Sequence, residues 1–298
     1  MEYKNMTAQQ KIWINTGIVW YAVRPMLLYL LLPPAISTIA MFFYGLKEQP
    51  EYFILKSGQF YRTLGLAVTF YILHRRCKKR GSSVWEETNM CWRQTDLRKV
   101  LLLAGAGVGF SLFMSGLLTV IPFPRFLIGP YHSMSSQIYG AVDMLLAALS
   151  VIVLAPVLEE MIFRGYVLGR LMNGFESDKT AVLLTTALFA VCHGTPLWIA
   201  YALFMGLLLA HVSIAEDNTV YAVALHIGYN LMTVPLSIAN NSPAISGILF
   251  ASPVLIAAYG AIGLSAALLC LRSYPLHLGA LKQYLPSGGR RKCGHENG

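Results

Sequence analysis

Apolar runs long enough to cross a bilayer dominate this chain, and they restrict it to very few folds. About 30 Å of hydrocarbon takes about 20 apolar residues in a helix. Backbone polar groups in lipid must be satisfied internally, which leaves helices or closed barrels. The runs fall at about 18–44, 57–74, 98–121 and 139–158, the fourth continuing as an amphipathic helix to about 171, and then at 181–193, 197–213, 219–236 and 245–271. With 56% hydrophobic residues, 12% charged residues and a mean hydropathy of +0.55, a water-soluble domain is excluded. The expectation is an all-α polytopic membrane protein, a bundle of about eight transmembrane helices. Residues 1–17 read as a polar N-terminal tail, 18–282 as the integral membrane domain and 283–298 as a basic C-terminal tail.

The net charge of +9 raises the question of nucleic acid. The basic residues sit in short segments between apolar runs, where lipid and insertion bias account for them, so no nucleic-acid partner is expected. "HRRCKKR" at 74–80, Arg170 and Lys179, and "GRRKCG" near the end alternate to one side, which places both termini in the cytoplasm. The five cysteines, Cys77, Cys91, Cys192, Cys270 and Cys293, show no paired spacing and are expected as free thiols. Span 181–193 is short, about 20 Å at 1.5 Å per residue. "GTP" at 194–196 ends it before the far interface, and a turn at that depth must be buried in protein or line a wet cavity.

"LAPVLEEMIFRGYVLGRL" at 154–171 puts ionisable groups at membrane depth, where each needs a partner. Glu160 and Arg164 have the i,i+4 spacing of an ion pair. Glu159 points about 100° away around the helix and is left for another task. Pro156 lacks an N–H, which invites a kink and frees a carbonyl beside the carboxylates. Read alone, the three charges equally suit a helix-packing network at the interface. "FAVCHG" and "HIGYN" change that balance: Phe189 and His193, and His226 and Asn230, each share a helix face at i,i+4. Counted inward from the polar loops, Glu159, His193 and His226 lie roughly 20, 21 and 12 Å deep. Three helices can thus bring them to one site, expected in the inner half of the bilayer.

In this order, Glu159-Glu160-x-x-x-Arg164, Phe189-x-x-x-His193 and His226-x-x-x-Asn230 resemble the three motifs of the CPBP intramembrane proteases. That family takes in the type II CAAX prenyl endopeptidases and the Abi bacteriocin-processing or immunity proteins. The resemblance covers about 139–236 and implies a conical polar cavity facing the cytoplasm. It also implies that Glu159 and His193 activate water, that His226 and Asn230 stabilise the oxyanion, and that Glu160 and Arg164 hold the site together. The function implied is an intramembrane endopeptidase acting on a membrane-associated substrate, a prenylated CAAX-type protein or a leader peptide, in the plasma membrane of a prokaryote.

The chemistry agrees independently. A glutamate desolvated in an apolar cavity becomes a usable general base, and imidazole and amide donors can meet a developing oxyanion. Glu159, His193 and His226 also form a conceivable zinc shell, although no H-E-x-x-H is present, so a divalent metal and a metal-free glutamate mechanism both stay open. The alternative in another class is a non-catalytic immunity or chaperone-like protein of the same fold; a transporter is disfavoured by the lack of two-half symmetry. Cys192 diverges from His193 by about 100° and does not read as a dyad partner. Asp143 is expected as a cap, His74 and His211 as interface residues, and the aromatic residues of "WIAYALF" and "VWYAVRP" as interfacial belts. The glycines of "MSGLL" and "LFMGLLLA" are expected at close helix contacts.

Overall fold

The computed structural model describes residues 8–45, 57–139, 144–175, 177–241, 243–249 and 252–273. The long helices are α1 (Ala8–Gly45), α2 (Gln59–Lys79), α4 (Leu97–Val120) and α5 (Arg125–Tyr139), with the short α3 (Val84–Glu87) between α2 and α4. Next comes α6, a continuous helical run from Met144 to Gly174. The chain then forms α7 (Asp178–Val191), α8 (Pro196–Ala215), α9 (Thr219–Asn241), α10 (Pro243–Leu249) and α11 (Pro253–Ser273). Five helical stretches are long and apolar enough to cross a membrane among the described residues: Ile14–Phe43, Leu97–Val120, Leu145–Gly174, Pro196–Ala215 and Pro253–Ser273. The protein is therefore an all-α polytopic membrane protein.

Most of the stretch 121–139, between two of the apolar runs, is helical, as α5. The single span expected at 245–271 is two helices: Ser252 caps α11 by accepting a bond from Leu255 N, and Pro253 at the first position starts the helix afresh. Asp143 lies outside the described residues. Cys77, Cys192 and Cys270 are free, as expected, whereas Cys91 is disulfide-bonded, a pairing that sequence spacing does not reveal.

Glycine fixes how closely α4, α9 and α11 approach. A Cβ on Gly228 would stand 2.0 Å from the carbonyl oxygen of Ala104, and one on Gly107 would stand 2.2 Å from that of Leu225. Any side chain there drives the helices apart, so small residues set the backbone distance. Gly116, from "MSGLL", packs in the same way on Gly260.

One end of the bundle is tied by polar contacts between loops. Thr219 N bonds Asn89 O at 2.9 Å, Asn218 bonds the backbone of Cys91 on both sides, and Lys99 pairs with Glu216 at 2.7 Å. The Cys77 thiol meets the Tyr166 hydroxyl at 2.9 Å, and Arg170 donates to Tyr21 O at 2.9 Å while lying over the Tyr21 and Tyr166 rings. The basic connections 75–80, 93–99 and 170–179 all lie at this end. The opposite end carries the turns 121–124 and 192–195 and the start of α11.

Candidate active site

The local backbone of α6 is what separates the two glutamates. Ser150–Leu154 and Met161–Leu168 are π-helical and flank an α-helical stretch, Ala155–Glu160. In the upstream π stretch, Ala155 N–H reaches the Ser150 carbonyl, a step of five residues. The next bond in that register would run from residue 156 to Val151, but Pro156 has no N–H. Asn230 supplies the donor instead: its Nδ2 bonds Val151 O at 2.9 Å. The proline predicts a freed carbonyl, and the structure shows which one it is and that a motif residue is anchored on it.

Glu160 and Arg164 are wholly buried and joined at 3.0 Å, the i,i+4 pair expected from spacing. Glu160 Oε1 also accepts from His226 Nδ1 at 2.8 Å. Arg164 donates to Gly206 O at 3.1 Å and lies over the Phe189 ring, 4.4 Å from its centroid. An unpaired charge at this depth would cost several kcal/mol, and these contacts are its compensation. Because Glu160 takes the Nδ1 proton, His226 turns Nε2 towards Glu159, whose Oε2 is 3.8 Å away. Glu160 and Arg164 thus stand behind His226 rather than in the cavity.

Glu159, His193, His226 and Asn230 line one cavity of about 180 Å³. Glu159 Oε1 accepts a hydrogen bond from the Tyr29 hydroxyl at 2.5 Å. His193 sits in the turn after α7 and donates Nδ1–H to Phe189 O at 2.8 Å, which leaves Nε2 as an acceptor. Phe189 touches both imidazoles edge-on, with ring centroids at 4.7 Å from His193 and 5.9 Å from His226. Its carbonyl orients one histidine while its ring wedges between the two.

Among the described residues, no three His, Cys, Asp or Glu side chains gather at spacing that could hold a metal ion. Glu159, His193 and His226, the conceivable zinc set, face one cavity without closing into such a shell, so no step is derived through a metal.

Sequence reasoning missed several lining residues. Tyr29 on α1, Gln59, Arg62 and Leu66 on α2, and Met134 on α5 all face the cavity. Gln59 is 6% exposed and its Nε2 has no hydrogen-bond partner, and Arg62 forms no ion pair among the described residues. Trp198 and Tyr201 correct the reading of "WIAYALF" as an interfacial belt: Trp198 is buried and both line the cavity. An aromatic near a span end carries the same sequence signal in either role.

Fold and site together define an integral membrane protein with an acid, imidazole and amide cavity enclosed by its helices. Residues 141–232, which carry all three motifs, match the family described as type II CAAX prenyl endopeptidase Rce1-like, and the resemblance read from those motifs holds. A stretch of 139 residues is 27% identical to the UPF0177 protein YxdF of Lactococcus lactis subsp. lactis (strain IL1403), covering 46% of this chain and 76% of that protein. No solved structure matches the chain.

Proposed function

We propose that the protein is an intramembrane endopeptidase that hydrolyses a peptide bond of a membrane-associated polypeptide with a water activated by Glu159. The observation that carries this reading is the division of the adjacent glutamates: Glu159 faces the cavity with His193, His226 and Asn230, while Glu160 is sealed behind them with Arg164. A packing network has no use for that division, and a hydrolase needs it.

In this mechanism Glu159 takes a proton from water as the water oxygen bonds to the scissile carbonyl carbon. His193 Nε2 accepts from the same water and orients it. The oxyanion meets the second N–H of Asn230 Nδ2, whose first is held by Val151 O, beside the Nε2 edge of His226 that faces Glu159. Collapse of the tetrahedral intermediate breaks the C–N bond, and the proton held by Glu159 passes to the leaving amine. Tyr29 positions Glu159 through its hydroxyl. Arg62 and Gln59 offer donors to substrate carbonyl or carboxylate groups, and surrounding lipid holds the substrate near the cavity.

Membrane proteomics of cells carrying the parent chain or Glu159→Ala tests the reading. A precursor that accumulates only with Glu159→Ala, at equal protein level in the membrane, is the expected result. Full processing by Glu159→Ala overturns the catalytic role.

A further inference from the structure

The wall that α2 lends to the cavity has no part in activating water. Gln59, Arg62 and Leu66 recur at i, i+3 and i+7 and all line the cavity, so one face of α2 is turned inward. Gly65 fixes that face against α1, because any side chain there would run into Pro33. Pro33 lies one turn beyond Tyr29, whose hydroxyl bonds Glu159. The α2 face is thereby held on the same helix that reaches the glutamate.

Two donors on this face meet no acceptor. Gln59 is 6% exposed, and its buried amide nitrogen has no hydrogen-bond partner among the described residues. A buried donor in that state carries a desolvation penalty that an acceptor on a ligand would remove. Arg62 is the only lysine or arginine in the lining and forms no ion pair among the described residues. A charge set into a membrane-spanning bundle calls for a counter-charge. Glu159, the only carboxylate in the lining, is bonded to Tyr29 and faces His226, so the cavity's own acid does not balance Arg62.

A planar guanidinium with an amide N–H beside it makes a fork for a carboxylate. A neutral carbonyl would satisfy the amide and leave the charge uncompensated. A second cavity of about 470 Å³ meets the first across Trp198, Tyr201 and Tyr229, and its lining holds no lysine, arginine, aspartate or glutamate. Charge selection therefore belongs to the α2 wall. We infer that Gln59 and Arg62 form an anion subsite that reads a carboxylate of the bound polypeptide, on one side of the reacting bond only. The occupant is a peptide with an aspartate, a glutamate or its own C-terminus within a few residues of that bond. The reacting bond rests on the endopeptidase reading; carboxylate binding does not.

The test is peptide binding to the full-length chain carrying Glu159→Gln in phosphatidylcholine nanodiscs, where nothing is cleaved. The probes are short fluorescent leucine–serine peptides, amidated at the C-terminus, with one glutamate at each position in turn. A matched set carries glutamine instead, and a third set is neutral with a free C-terminal acid. At one position glutamate should bind about tenfold tighter than glutamine, the scale of a charge-assisted hydrogen bond. Arg62→Gln should abolish that difference, Arg62→Lys should keep it, and Arg62→Glu should pass the preference to lysine at the same position. A preference in the amidated set assigns the carboxylate to a side chain, and one confined to the free-acid set assigns it to the C-terminus. Equal binding of all sets, no binding of any, or a loss that Arg62→Gln inflicts equally on glutamate and glutamine peptides overturns the inference. So does a phospholipid that co-purifies with the parent and is lost with Arg62→Gln, which would give the subsite to a headgroup. A failed Glu159→Ala comparison with the expected binding would strike only the endopeptidase reading.

Discussion

Glu160→Gln should be the most destabilising of the conservative changes at the site, because it removes charge without removing volume. In the parent chain the carboxylate receives Arg164 at 3.0 Å and His226 at 2.8 Å through one oxygen, and both charged partners in the ion pair have no exposed side-chain surface. A glutamine leaves the guanidinium buried and unbalanced, with the Phe189 face and Gly206 O as its remaining compensation. Breaking a buried pair by removing one partner costs about 3–5 kcal/mol. That shifts the unfolding equilibrium by roughly two to three and a half decades, at about 1.4 kcal/mol per decade. The Arg80–Glu87 pair at the surface is the contrast: Arg80 is 49% exposed, and such pairs contribute only about 0–1 kcal/mol. Unfolding in mixed micelles by titrated dodecyl sulfate provides the measurement, with Glu159→Gln as the matched control. The control keeps an acceptor for Tyr29 and should stay within about 1 kcal/mol of the parent. Adding Arg164→Met to Glu160→Gln should cost less than the sum of the two single changes, since it removes the stranded charge. Equal stability of Glu160→Gln and Glu159→Gln would refute the division of labour between the two glutamates.

Three further outcomes are expected. Gly228→Ala should destabilise the bundle by about 1–3 kcal/mol in the same titration, since its methyl meets the Ala104 carbonyl, whereas Gly17→Ala, with open space around it, should be silent. Arg62→Ala should raise KM with little change in kcat for the processed precursor, because Arg62 lines the cavity away from the groups assigned to water; an equal fall in kcat with KM unchanged would count against this placement. Treatment with a zinc chelator should leave processing unchanged, and a loss that zinc restores would return the metal-dependent alternative.

What the sequence made legible is what local spacing encodes. Glu160 and Arg164 are one turn apart, so their pairing needs no knowledge of the fold. The short α7 and its turn at His193 follow from an apolar run too brief to span. Tyr29 stood beyond such reasoning: it reaches Glu159 across 130 residues of chain, from a run of leucines that gives it no distinguishing mark. Gln59 and Arg62 were hidden in the same way, because a polar residue at the start of a span reads as an interface anchor until a neighbouring helix is placed against it. The π-helical stretches around Pro156 escaped for a different reason. The proline announces a missing bond, but only the register of the preceding turn decides that Val151 is the carbonyl left over for Asn230.

Depth counted along the chain becomes geometry once the helices are placed. Counting residues from the basic loops places Glu159 and His193 roughly 20 Å, and His226 about 12 Å, from that end of the bundle. His226 accordingly forms the floor of the cavity, bound through Nδ1 to Glu160, while His193 and Trp198 stand further out along it. Behind that floor Met161, Ile162, Phe163 and Leu168 form a packed layer, each at most 1% exposed. In the proposed reaction, a polypeptide therefore meets Arg62, Gln59 and Trp198 first and the glutamate after them.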